Sequence, residues 1–177
     1  MKAYTIGKND AGQRVNKFIE KAVPALPRSL MYKYIRLKNI KLNRKRCKPE
    51  DKLQEGDELE LGINDEFFGE GEPELLFRKV PTKLNIVYED ENILLVDKKP
   101  GLVVHEDESG EADTLINRIL HYLYEKGEYD PKQENSFIPA LCNRIDRNTG
   151  GIVIAAKNAE SLRILNQKVK DRELKKL

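Results

Sequence analysis

In the stretch RVNKFIEKAV, Val15, Phe18, Ile19 and Ala22 recur at helical spacing, which predicts a helix that Pro24 and Pro27 then interrupt. A second helix is expected with Ser29 as its cap and with Leu30, Tyr34 and Leu37 on one face. Beyond it Ile40 and Leu42 alternate with polar residues, a turn falls near Asn43, and GDELEL alternates again, so short strands are predicted. The stretch NDEFFGEGEPELLFRKVPTK follows neither period and is rich in Gly, Pro and acids, which reads as a linker.

In LNIVYEDENILLVDKKPGLVVHED the turn-forming EDEN separates two apolar runs and a third follows KKPG, predicting three strands. Asp113 is the expected cap of a helix with Leu115, Ile116, Ile119, Leu120 and Leu123 on one face, and Gly127 suits its end. Apolar FIPALC and GIVIAA come next, and Asn158 is expected to cap a last amphipathic helix through Leu162, Leu165 and Val169. The fold class expected is α+β. A small two-helix plus short-sheet domain at residues 1–62, a linker at 63–83 and a mixed domain at 84–177 divide the chain, and the last has sheet edges left to pair.

Composition narrows the function classes. Hydrophobic residues make up 39% and charged residues 35% of the chain, no apolar run reaches membrane-span or signal-peptide length, and a cytoplasmic location is expected. Cys47 and Cys142 form no CxxC pair and lie near no histidine, so they are expected to be reduced thiols rather than metal ligands. Charge is segregated: between residues 14 and 52 the only acids are Glu20, Glu50 and Asp51, against thirteen Lys or Arg. That block is either a solvated face or a surface for an anionic partner. Arg28, Lys33, Arg36 and Lys38 are expected on its outside. No GxxxxGK[ST] or GxGxxG occurs, which argues against nucleotide-driven chemistry. His105 and His121 lie beside apolar runs, and packing or surface placement is the expectation for them. The tyrosines at two-residue spacing, Tyr32 with Tyr34 and Tyr122 with Tyr124, are read as core or boundary packing.

The stretch CNRIDRNTGGIVIAAKN places Asp146 between Arg144 and Arg147. One reading is a turn carboxylate that caps backbone groups or pairs with an arginine. The other is a nucleophile or base that two guanidiniums favour in its ionised form, with the same arginines gathering an anionic substrate. Thr149, Gly150 and Gly151 offer a tight turn under either reading.

NRIDRNTGGIVIAAKN, with IVYEDENILLVDKKPGLVVH upstream, resembles the start of the catalytic domain of RluA-type RNA pseudouridine synthases, whose signature is close to H-R-L-D-x-x-T-S-G before an apolar strand. Residues 14–61 are similar to the RNA-binding module of ribosomal small-subunit protein four, through the paired helices, SLMYKYIRLKNIKLN and GDELEL. The resemblance implies an antiparallel-sheet catalytic domain that isomerises uridine to pseudouridine in ribosomal or transfer RNA, with neither cofactor nor metal, in a monomer. It implies Asp146 as the catalytic carboxylate and Arg144 as the cation that fills the stack left by a flipped base. Arg147 is left as a phosphate contact or a local charge partner. The RNA-binding module would use Arg28, Ser29, Lys33, Arg36, Lys38, Asn43, Arg44, Lys45 and Arg46. Asn143 stands where the family has histidine, and Gly150 where it has serine. The family's domain continues further, toward a lysine-rich strand and a tyrosine that stacks on the target base. The chain is therefore expected to be the front part of such an enzyme, lacking part of the active site, binding RNA and turning over poorly or not at all. The rival expectation is a non-catalytic RNA-binding or ribosome-associated protein.

Overall fold

The computed structural model describes residues 1–69, 75–107 and 109–171; residues 172–177, part of the run expected to lead toward the family's next strand, lie outside the described residues. Among the described residues there are four α-helices and two four-stranded antiparallel sheets, so the α+β expectation holds. The chain divides into two units, Met1–Glu72 with Pro131–Phe137, and Pro73–Asp130 with Ile138–Leu177.

In the first unit the sheet runs β1 (Lys2–Thr5), β4 (Glu58–Leu61), β2 (Ile40–Leu42), β3 (Lys45–Arg46) in spatial order. Tyr4 lies opposite Leu59, and Leu59 and Leu61 lie opposite Leu42 and Ile40, so apolar side chains face each other across the ladder. Helices α1 (Val15–Ala22) and α2 (Arg28–Arg36) cover this face with Val15, Phe18, Ile19, Met31 and Ile35, all buried. Three details correct the helix expectations. Pro27, whose ring presets its φ, occupies the N-cap position of α2, which puts Ser29 inside the first turn. Met31 and Ile35 carry the deepest burial of α2, with Leu30 and Tyr34 on the flanks, while Leu37 is exposed at the end. The segment 131–137 packs with this unit: the buried Asp10 carboxylate accepts hydrogen bonds from the Asn135 amide at 3.0 Å, the Ser136 hydroxyl at 2.6 Å and the Gly7 N–H at 3.0 Å.

The second unit is a sheet of order β5 (Ile86–Glu89), β6 (Ile93–Lys98), β8 (Gly151–Ala156), β7 (Ala140–Leu141). On β6 the side chains of Leu94, Val96 and Lys98 share the buried face, as a period of two requires. Helix α3 (Leu115–Lys126) packs Leu115, Ile119, Leu120 and Leu123 onto Leu94, Val96, Val153 and Ala155. Each such side chain contributes about 1.5–3 kcal/mol on full burial. Phe77, from a short 3-10 turn (Leu76–Lys79) inside the expected linker, completes this core. The cap of α3 is Thr114, one residue after Asp113, which instead pairs with Arg118 at 2.6 Å. Gly127 ends α3 with a left-handed φ of 81°, and helix α4 (Ala159–Lys170) starts on Asn158, whose side chain accepts from the Ser161 N–H.

The third strand predicted in this region does not form. Its backbone is used elsewhere: the carbonyls of Val103 and Val104 accept the N–H groups of Leu115 and Ile116, the otherwise unbonded first turn of α3. Only an isolated bridge, Val103 with Thr114, remains of the expected strand. No helix among the described residues is long and apolar enough to cross a membrane.

Candidate functional site

Asp146 lies on the loop between β7 and β8, exposed, immediately before the turn in which the Thr149 N–H donates to the Asp146 carbonyl at 3.0 Å. What holds this loop is a residue absent from the sequence-based candidates. Lys98, the last residue of β6, is 1% exposed. Its ammonium donates to the carbonyls of Leu102 at 2.9 Å, Arg147 at 3.0 Å and Lys99 at 3.1 Å, so all three protons are engaged. Burial pushes its pKa below the ordinary lysine value, and the nearby Asp146 carboxylate pulls it partly back. A buried cation is thus set under the candidate acid. Gly151 lies opposite Lys98 in the ladder. The signal that could have found Lys98 is its position two residues past Val96 on the buried face of the strand.

The neighbouring KPG turn adds a second tie. Gly101, at φ 101°, takes a conformation that disfavours side chains and donates its N–H to the Arg147 carbonyl at 2.7 Å. Gly150 passes so close that a Cβ there would meet Pro100 Cδ at 3.2 Å and the Lys98 carbonyl at 3.3 Å. Asn143 pins the start of the loop, donating to the Ile152 carbonyl at 3.1 Å and accepting the Ile154 N–H at 2.8 Å. Asn143 therefore stiffens the loop.

Around Asp146 the charged side chains separate in role. Arg147 is turned to Asp107 at 3.2 Å and Glu111 at 3.4 Å. Arg144 is exposed, and its charge reaches His105. Burial, with Arg144's charge added, lowers the His105 pKa and favours the neutral imidazole, whose buried Nδ1 has no hydrogen-bond partner. No group of acids, histidines and cysteines suited to a metal occurs among the described residues.

In the first unit Arg28, Ser29, Lys33 and Arg36 fall on α2, Lys38 just past its end, Asn43 and Arg44 in the β2–β3 turn, and Lys45 and Arg46 on β3. Arg28 is paired with Glu20 at 2.9 Å, and Arg44 approaches Glu60 at 4.0 Å. Asn43 builds the turn, accepting the Glu58 N–H at 2.9 Å and donating to Asp57 at 3.1 Å, with Asn43 and Arg44 both at positive φ. Arg36 and Arg46 line one cleft, while Lys33, Lys38 and Lys45 are exposed outside its lining.

Residues 13–59 match the S4 domain and residues 92–177 match the family described as RNA pseudouridylate synthase. The chain thus joins a stretch that matches the S4 domain to one that matches the RNA pseudouridylate synthase family. It is 36% identical over 178 residues to an uncharacterized RNA pseudouridine synthase of Mycoplasma capricolum subsp. capricolum, covering 98% of this chain and 56% of that protein. A similar protein of Mycoplasma genitalium is 33% identical over 174 residues, with 98% and 53% covered. Ribosomal large subunit pseudouridine synthase C of Escherichia coli (strain K12) is 30% identical over 180 residues, with 99% and 52% covered. The chain spans about half the length of the curated relatives it matches.

Proposed function

We propose that this chain acts in the isomerisation of uridine to pseudouridine in structured RNA, with ribosomal RNA as the first substrate class to test because one relative is named for the large ribosomal subunit. The observation that supports this reading is the exposed Asp146 on a loop tied down by the buried Lys98 ammonium and the Gly101 N–H. Such a loop presents a carboxylate in a fixed place to a nucleotide that has left its stack. In the reaction the bond from ribose C1′ to N1 breaks, the uracil turns, C1′ joins C5, and the C5 hydrogen leaves as a proton while N1 gains one. Atoms and electrons balance within one nucleoside, so no oxidant, reductant or group donor is consumed. Asp146 is the group that attacks or steadies the detached nucleoside, and Arg144 occupies the gap in the stack with its planar cation. The basic face of the first unit holds the RNA through its phosphates.

Because Asp146 is open to solvent, slow turnover by the 177-residue chain is the expectation, since an enclosing dry site strengthens the electrostatics that lower a barrier. Ribosomal RNA carrying tritium at uracil C5 tests the reading. Tritium release that Asp146→Asn abolishes, with RNA affinity kept within about twofold, supports it. Equal release by both chains refutes Asp146 as the reacting group. Binding with no release from either chain favours the second reading, a non-catalytic RNA-binding protein, to which the same solvent exposure of Asp146 points.

A further inference from the structure

Within the first unit a cleft of about 560 Å³ opens between α2 and the segment that follows β2 and β3. Its floor is apolar, made by Ile35 and Cys47, both buried. Burial first, and the nearby Asp51 charge second, push the Cys47 thiol up, so it stays a neutral part of that floor. Tyr32 forms one wall with 37% of its surface exposed, and its hydroxyl accepts a hydrogen bond from the Asn16 amide at 3.3 Å. Arg36, Arg46 and Lys48 stand around the rim, and none of them forms an ion pair among the described residues. One acid, Asp51, also lines the cleft, and it accepts the Lys48 N–H at 2.8 Å through one carboxylate oxygen.

The geometry points to a nucleotide-binding cleft: one unstacked nucleotide of the bound RNA lies with its base against the Tyr32 ring and the Ile35–Cys47 floor. Its phosphates meet Arg36, Arg46 and Lys48, and the Asp51 carboxylate accepts from a ribose hydroxyl or a base amino group. The volume falls in the range of small-ligand pockets, ~300–1,000 Å³. Apolar floor, aromatic wall and free cations in one place are the combination that single-stranded nucleic acid requires, because every base offers a stacking face and every linkage a charge. A duplex keeps its bases stacked and can offer this cleft only phosphates. The inference deepens the RNA-binding reading above and rests on it: the first unit reads single-stranded RNA by stacking as well as by charge.

The test is equilibrium binding of the whole 177-residue chain to a fluorescent single-stranded 12-nucleotide RNA and to a blunt RNA duplex, over a range of salt. Tyr32→Leu is expected to weaken the single strand about tenfold, the size of one lost stacked base, with an unchanged salt slope. Tyr32→Phe should keep the parent affinity, which separates stacking from damage to the fold. Arg36→Gln and Arg46→Gln should each lower the salt slope by about one. An RNA carrying 5-iodouridine, irradiated on the chain, should cross-link to Tyr32. If the chain binds the single strand with steep salt dependence while Tyr32→Leu binds as well as the parent and no cross-link falls on Tyr32, the cleft is overturned and the RNA-binding reading stands. If the chain binds neither RNA at low salt, both fall together.

Discussion

Lys98→Met removes the ammonium beneath the Asp146 loop while keeping an apolar stem of similar length, and two opposed effects set its size. The carbonyls of Lys99, Leu102 and Arg147 lose their donor. That of Arg147 keeps the Gly101 N–H at 2.7 Å, whereas the other two hold no second donor among the described residues. Each orphaned carbonyl costs ~1–3 kcal/mol, with the low end fitting positions this near the surface. Against this, the burial that depresses the Lys98 pKa is a cost the methionine does not bear, because a buried charge is itself expensive. A net loss of about 1 kcal/mol remains, so the second unit should melt about 5 °C lower. The loop should also loosen locally, because Gly101 donates to Arg147 and Thr149 to Asp146 across the same joint. Thermal melting followed by circular dichroism gives the first quantity, and amide hydrogen exchange at Gly101 and Thr149 gives the second. A melting point within about 2 °C of the parent's, together with unchanged exchange at both amides, would refute the claim that the ammonium holds the loop.

Two further perturbations test the supports around it. Burial alone raises the Glu89 pKa, but hydrogen bonds from Lys126 at 2.8 Å, Lys157 at 2.6 Å and the Tyr122 hydroxyl at 2.6 Å outweigh it and bring the pKa down to about 2. A folded pKa below the unfolded value gives stability that is fully present above pH ~4.5 and is lost as pH falls toward 2, on the order of 3 kcal/mol at most. Glu89→Gln should therefore lower the denaturation midpoint at pH 7 and flatten the acid limb of a stability profile; an unaltered limb would remove Glu89 from the account. Gly150→Ala sets a Cβ against Pro100 Cδ of the KPG turn at 3.2 Å and the Lys98 carbonyl at the end of β6 at 3.3 Å. About 1 kcal/mol of overpacking is expected, read as a melting point a few degrees lower, and an unchanged melting point would mean the turn gives way freely.

Elements whose information is local could be read from the chain. Helix α3 shows its apolar face at i, i+3 and i+4 spacing and its stop at Gly127, and only its first residue is uncertain, because Asp113 and Thr114 are both natural caps. The competition is settled at a distance of five residues by Arg118, which takes the Asp113 carboxylate and leaves the cap to Thr114. The run LVVH is apolar enough for a strand, yet the start of α3 claims its carbonyls, and no periodicity within the run could report that. Segment 131–137 is tied to Asp10 across more than 120 residues, so its place in the first unit is invisible locally. Asp146 shows the same limit at the candidate site. Two adjacent arginines made it conspicuous, but Arg147 turns away to Asp107 and Glu111, and the cation beneath the loop is a lysine 48 positions earlier whose carbonyl partner is 49 residues from it. A lysine at the end of an apolar run reads as the return to solvent. On β6 the pleat carries it inward instead, and the converging carbonyls of two loops make that burial tolerable, joining the KPG turn to the aspartate loop at one atom.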